Sequence, residues 1–164
     1  MAIIETTEPQ SYNLRPYDPT RGSDITDLKE ICANVYGGGD YLPQMAASYV
    51  ADDDCSFLAL TSKHNDNIID AQTTHAKDGD DDNILAVANY KRLPAQSSAW
   101  IEAIRTHPDH RNKGLASTLL QSLVNLSKEE DNDTNILTCT IQSNLGMQRA
   151  LEKVGFVQSG IIPT

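Results

Sequence analysis

The chain reads as an α/β (α+β) domain on a mixed, mostly antiparallel sheet flanked by about four helices. Three observations predict it. Short β-branched or aromatic runs bounded by Pro, Gly or Asp recur at 12–17, 56–61, 84–93, 100–106 and 136–141. Segments of helical apolar periodicity fall between them. A length of 164 residues suits one core, and no internal repeat or linker marks a second domain.

Taken in order, residues 1–10 are expected to be disordered, leaving a single domain over 11–164. The first strand covers 12–17. A helix is predicted over 25–36, with Ser23 or Asp24 available as its cap, and a second, short one over 43–50. The acidic run Asp52-Asp53-Asp54 falls in a turn before the strand at 56–61. Residues 62–83 make a polar loop longer than most, closing on Asp80-Asp81-Asp82. The strands at 84–93 and 100–106 pair with each other, and Pro108 stops the second. A long amphipathic helix then runs from 114 to about 128 through Leu119, Leu120, Leu123, Val124 and Leu126. A strand at 136–141, a helix at 144–153 and a last strand from Phe156 finish the layout.

Composition narrows the function. The net charge of −10 argues against a general nucleic-acid binder, whose first requirement is a basic face. There is no apolar run of membrane-spanning length and no signal peptide at the acidic start, so a cytoplasmic protein without a membrane partner is expected. Cys32, Cys55 and Cys139 are odd in number and widely spaced, so buried small hydrophobes are the better reading than disulfides. His64, His75, His107 and His110 have no metal-ligand spacing, and no metal is expected.

The most informative segment is 101–116. A strand leads into the polar loop His107-Pro108-Asp109-His110-Arg111-Asn112-Lys113, and Gly114 and Ala116 open the long helix. Strand, basic loop, small residues and helix start together make an anion site, because free backbone N–H groups and the positive dipole end share one small volume. Gly114 lets an anion approach the backbone, and Arg111 and Lys113 add charge-assisted hydrogen bonds. The alternative is an ordinary strand-to-helix turn with surface cations.

Arg111-x-x-Gly114-x-Ala116 resembles the pyrophosphate loop of the GNAT N-acetyltransferase superfamily. Downstream, Asn144-Leu145-Gly146-Met147-Gln148-Arg149-Ala150-Leu151-Glu152-Lys153-Val154-Gly155-Phe156 is similar to that family's fourth helix and following strand, with Asn144, Glu152, Lys153, Gly155 and Phe156 in register. Two motifs at the right separation weigh more than either alone. Near the front, Tyr36-Gly37-Gly38-Gly39-Asp40-Tyr41-Leu42-Pro43 looks like a segment of the histidine N-acetyltransferase-like branch, where it joins the first two helices. A flexible helix-to-helix turn is the plainer reading of those glycines.

The resemblance implies the GNAT fold and an acetyl-CoA-dependent N-acetyltransferase acting on a small-molecule amine, with a free amino acid such as histidine the first acceptor to try. It implies that acetyl-CoA is held by the backbone and side chains of Arg111, Asn112, Lys113, Gly114, Leu115, Ala116 and Ser117. The pantetheine arm would pair with Ile104 and Thr106, and Asn144 would stand near the thioester. Glu102 is the candidate general base, its alternative being a strand carboxylate paired with Arg105. Tyr36, Asp40 and Tyr41 are candidate acceptor contacts: the carboxylate for a cation, the rings for stacking. Two departures stand out. Leu151 takes the place where many members carry the Tyr that protonates the leaving thiolate, so an acyl-CoA-binding pseudoenzyme is an alternative. The chain also stops where a seventh strand is expected, which reads as a truncated form. A protein N-acetyltransferase and a bare interaction domain are further alternatives; a monomer or a homodimer is expected.

Overall fold

A computed structural model describes residues 12–62, 82–130 and 135–160. The expected disorder of 1–10, most of the polar loop with His64, His75, Asp80 and Asp81, and the final residues lie outside these. Five strands follow one another across a single sheet in the order β1-β2-β3-β4-β5: β1 Tyr12–Pro16, β2 Cys55–Ser62, β3 Ile84–Leu93, β4 Ser98–Thr106 and β5 Asn135–Thr138. The first four pair antiparallel, and β5 joins β4 in parallel. A parallel neighbour needs a long crossover, which the helix α3, Leu115–Glu130, supplies. The mixed, mostly antiparallel sheet with four helices is the expected architecture.

Each face of the sheet carries two helices. On one, α3 and α4 (Leu145–Val154) cover a core of Leu58, Leu60, Ala88, Tyr90, Ile101, Leu119, Leu120 and Leu123. On the other, α1 (Gly22–Cys32) and α2 (Leu42–Ala51) cover Phe57, Ala59, Ile84, Val87 and Ala103. β3 is buried on both faces, and its near-continuous apolar run follows from that.

Several boundaries differ from those expected. α1 begins at Gly22, three residues early, and ends at Cys32 rather than 36. Neither Ser23 nor Asp24 caps it: Arg21 is the capping position, with no side-chain cap bond. Asp24 is instead buried and paired with Arg15. Tyr36, Gly37 and Gly38 cannot continue α1, because all three have positive φ (50°, 67° and 89°) and make a tight 3-10 turn over Val35–Gly38. β5 stops at Thr138, which leaves Cys139 exposed beyond it instead of buried in a strand. The last strand from Phe156 does not form over 156–160. α4 ends in a Schellman turn, with Gly155 at φ 97° and Phe156 N–H donating to the Leu151 carbonyl. Phe156 packs back on the core, while Val157 faces solvent; a strand needs a ladder partner, and these residues meet none among the described residues.

Candidate functional site

The site begins with an irregularity in β4. Arg105 pairs with Val87 but Glu102 pairs with Asn89, so β4 carries one extra residue at Ala103–Ile104. Ala103 takes φ +55°, a left-handed conformation that a non-glycine residue adopts at a cost. Beyond the bulge β4 has no neighbour on its outer side among the described residues, because β5 reaches only to Ile101. The His107 N–H donates to the Leu85 carbonyl on β3. Backbone direction alternates along a strand, so the polar groups of Thr106 and Ile104 point the opposite way, to that open edge.

The same strand delivers the chain to the anion loop. A 3-10 turn over Pro108–His110 follows, then Arg111, Asn112 at φ 62°, Lys113 and Gly114 at φ 80°. The Thr118 N–H donates to the Gly114 carbonyl, so Gly114 caps α3, and the N–H groups of Leu115, Ala116 and Ser117 open the helix. Arg111 and Lys113 are exposed. Neither has a carboxylate partner among the described residues. Lys113 Nζ instead lies 3.4 Å from His110 Nδ1. Burial first, then the Lys113 charge, holds the His110 pKa below its usual value. The loop and the open β4 edge therefore fit the pyrophosphate and the arm of a CoA thioester, in donors, charge and adjacency. A cavity of about 210 Å³ beside the loop, lined by Tyr12, Ser62, Asn83, Leu85, His110, Lys113 and Leu115, lies towards β1–β3 and away from the bulge.

Asn144 caps α4, its Oδ1 accepting from the Met147 N–H at 3.1 Å. Among the described residues its amide hydrogens have no acceptor, which leaves them able to donate to a ligand. Leu151 is half-buried and packs on the α3–α4 core.

On the other face the bulge gathers the remaining candidates. Glu102 Oε1 accepts from Asn89 Nδ2 at 3.1 Å. The Tyr49 hydroxyl, from α2, pairs with Glu102 and Tyr41; burial first, then the charges of these two neighbours, pushes its pKa up, so it stays a protonated donor. Glu102 is not paired with Arg105. That guanidinium grips Asp40 instead, Nε to Oδ2 at 2.7 Å and Nη2 to Oδ1 at 3.1 Å. Asp40 also accepts the Leu42 N–H at 3.1 Å and the Cys32 thiol. Burial alone would raise its pKa, but Arg105 and the Leu42 N–H overturn that and hold it below the usual carboxylate range. Burial and Asp40 push the Cys32 thiol up to about 12. The Asp40 side chain is 1% exposed and already neutralised, so it is not a free contact for a cationic acceptor. Tyr36 and Tyr41 lie over Arg105, with ring centroids 5.5 and 5.8 Å from Cζ.

The structure thus brings Tyr36, Asp40, Tyr41 and Glu102 together on one face and sets the loop and the open edge beside them. Sequence reasoning missed Tyr49 and Asn89. Asn89 had a visible signal, a lone amide inside the apolar run Ile84-Leu85-Ala86-Val87-Ala88-Asn89-Tyr90. Tyr49 had none. Among the described residues no group of three His, Cys, Asp or Glu side chains is placed to hold a metal ion, and no helix is long and apolar enough to cross a membrane.

Comparison with known proteins bears on this geometry. The acetyltransferase (GNAT) family model matches residues 41–156. No curated protein matches the chain in sequence. Among solved structures, it is similar to an aminoglycoside antibiotic 6'-N-acetyltransferase from Acinetobacter baumannii (14% identity, 94% of this chain and 96% of that one, TM-score 0.63). It is also similar to a spermidine N-acetyltransferase from Vibrio cholerae in complex with CoA and spermine (16% identity, 91% and 82%, TM-score 0.65). A transcriptional regulator from Bacillus halodurans C-125 is a third (18% identity, 94% and 98%, TM-score 0.65). At such identities the likeness is one of fold.

Proposed function

The chain belongs to the GNAT acetyltransferase family, whose members use acetyl-CoA, and from that premise we propose that it acetylates the amine of a small molecule, a free amino acid such as histidine being the first to try. The observation that carries this reading is the place of Glu102. It sits at the bulge where the open edge of β4 begins, on the face opposite α3 and α4, oriented by Asn89 and Tyr49.

In this reading the N–H groups at Gly114, Leu115, Ala116 and Ser117, with Arg111, Asn112 and Lys113, hold the pyrophosphate. Ile104 and Thr106 offer their outward backbone groups to the pantetheine arm as a further strand would. The Asn144 amide donates from the start of α4. Acetyl-CoA supplies the activated acyl group when bound. Glu102 accepts a proton from the acceptor ammonium at its carboxylate, directly or through a water, leaving the neutral amine to react. Asn89 and Tyr49 hold the carboxylate in one orientation. Leu151 supplies no acid, so the thiolate takes its proton from solvent or from another group.

The test is an acetyl-CoA turnover assay reading free thiol, with free amino acids, short peptides, spermidine and an aminoglycoside offered side by side. Turnover of free amino acids above the others is the expected result. A clear preference for peptides would replace the small-molecule reading with a protein N-terminus as acceptor.

A further inference from the structure

Arg105 is held but not used up. A guanidinium has five N–H donors in a fixed fork. Three are engaged among the described residues: Nε and Nη2 on Asp40, and Nη1 on the Ile104 carbonyl at 3.1 Å. The second arginine of this kind is a control. Arg15 makes five bonds, to Asp24, Asp82 and Pro16, and is saturated. On Arg105 one N–H on each Nη is uncommitted among the described residues, enough for two bonds to a carboxylate. Asp40 holds the guanidinium along its Nε–Nη2 edge, the rings of Tyr36 and Tyr41 lie against it, and its side chain is 13% exposed.

We infer that Arg105 binds the carboxylate of the acceptor, which makes this an acetyltransferase of amino acids or similar amino carboxylates. The inference rests on the proposed function and names the acceptor class of that same site. Asp40 is then a positioning residue, which holds Arg105 rather than touching the substrate. The bulge puts Glu102 and Arg105 on one face, with Cα atoms about 10 Å apart along an extended strand and less across the bulge. An α-amino acid has its nitrogen and carboxyl carbon about 2.5 Å apart. With a hydrogen bond at each end it spans about 8 Å. In this inference one amino acid bridges the two, its ammonium at Glu102 and its carboxylate at Arg105. A polyamine has nothing to offer Arg105 and would place a positive charge against it.

The experiment compares each amino acid with its decarboxylated amine: histidine with histamine, tyrosine with tyramine, lysine with cadaverine, and spermidine beside them. The expected result is a kcat/KM ratio favouring the carboxylate by about ten to a hundredfold for the preferred acceptor. Arg105→Lys keeps a charge for Asp40 but loses the fork, and should collapse that ratio mainly through KM. The double variant Asp40→Asn with Arg105→Gln removes both charges together and should collapse it too, which covers misfolding of the single one. Turnover with no preference for the carboxylate, or a preference the variants leave in place, overturns this inference and leaves the acetyltransferase reading standing. No turnover of any acceptor, with acetyl-CoA shown to bind by calorimetry, overturns both.

Discussion

Two partly buried arginine–aspartate pairs lie on the same face of the sheet, and they differ in what is left over. Arg15 and Asp24 join β1 to α1 with bonds of 2.7 and 2.8 Å, and Asp82 closes on the remaining side. Both side chains are well covered, 15% and 1% exposed, and every donor of the arginine is engaged. Arg105 and Asp40 join β4 to the turn before α2 with similar lengths, yet part of the fork stays open. Chemistry and burial are alike in the two places. The difference is where the backbone puts the cation: inside a closed corner of the fold, or beside a bulge at an open sheet edge. A saturated pair ties elements together, whereas an unsaturated one has capacity for a ligand.

The largest expected effect tests the closed pair. Asp24→Ala leaves Arg15 with Asp82 and the Pro16 carbonyl alone, and loss of one partner of a buried pair costs up to about 3–5 kcal/mol. Urea unfolding should show that loss, while kcat/KM, measured where the variant is folded, should hold. A kinetic defect out of proportion to the folded fraction would break the contrast between the two pairs.

Next comes the base that stands beside the open pair. Glu102→Gln should lower turnover by roughly a hundredfold or more, with CoA affinity hardly changed. Survival of turnover within a few-fold at saturating substrates would make Glu102 a structural carboxylate.

A third effect separates the acceptor face from the loop. Gly114→Val forces a β-branched residue to φ +80° and puts methyls where the anion approaches. CoA affinity should fall by about tenfold or more, the strain alone being of order 1–2 kcal/mol. Unchanged CoA binding with an intact circular dichroism spectrum would show that the phosphate lies elsewhere.

Acid should treat the two pairs alike. Asp24 and Asp40 both have pKa values lowered by folding, through their arginines and backbone N–H groups against the cost of burial. Each therefore adds stability above the unfolded carboxylate value near 4, and that stability is lost as pH falls through the lowered folded value. In this window the unfolded chain binds more protons, so stability rises with pH. Urea midpoints measured between about pH 2 and 6 should fall steeply below pH 4, and less steeply in Asp24→Asn and in Asp40→Asn. Equal slopes in all three proteins would count against both pairs.

The smallest effect sharpens the open pair. Tyr36→Ala removes one ring from Arg105, a contact worth about 0.5–1 kcal/mol, so KM for the acceptor should rise about two- to fivefold. A rise for the decarboxylated amine as large as that for the amino acid would separate Tyr36 from carboxylate recognition.

By itself the sequence determined what is built from contiguous residues. The loop from Arg111 to Ser117 and the end of α4 at Gly155-Phe156 depend on backbone conformations that a glycine, a cap and a few neighbours dictate, and so they can be read as motifs. Apolar periodicity likewise placed the strands and the long helix, because each face must meet the core. Only the tertiary structure decided who pairs with whom. In a regular strand Glu102 and Arg105, three apart, would point to opposite faces; one extra residue at Ala103 puts both on the same face, and Asp40, sixty-five residues before Arg105, takes the arginine. Tyr49 and Asn89 reach Glu102 from α2 and β3, elements that meet only once the sheet and its helices are packed. The expected last strand does not form over 156–160 for the same reason: strand propensity is local, but a strand exists only where another offers its edge.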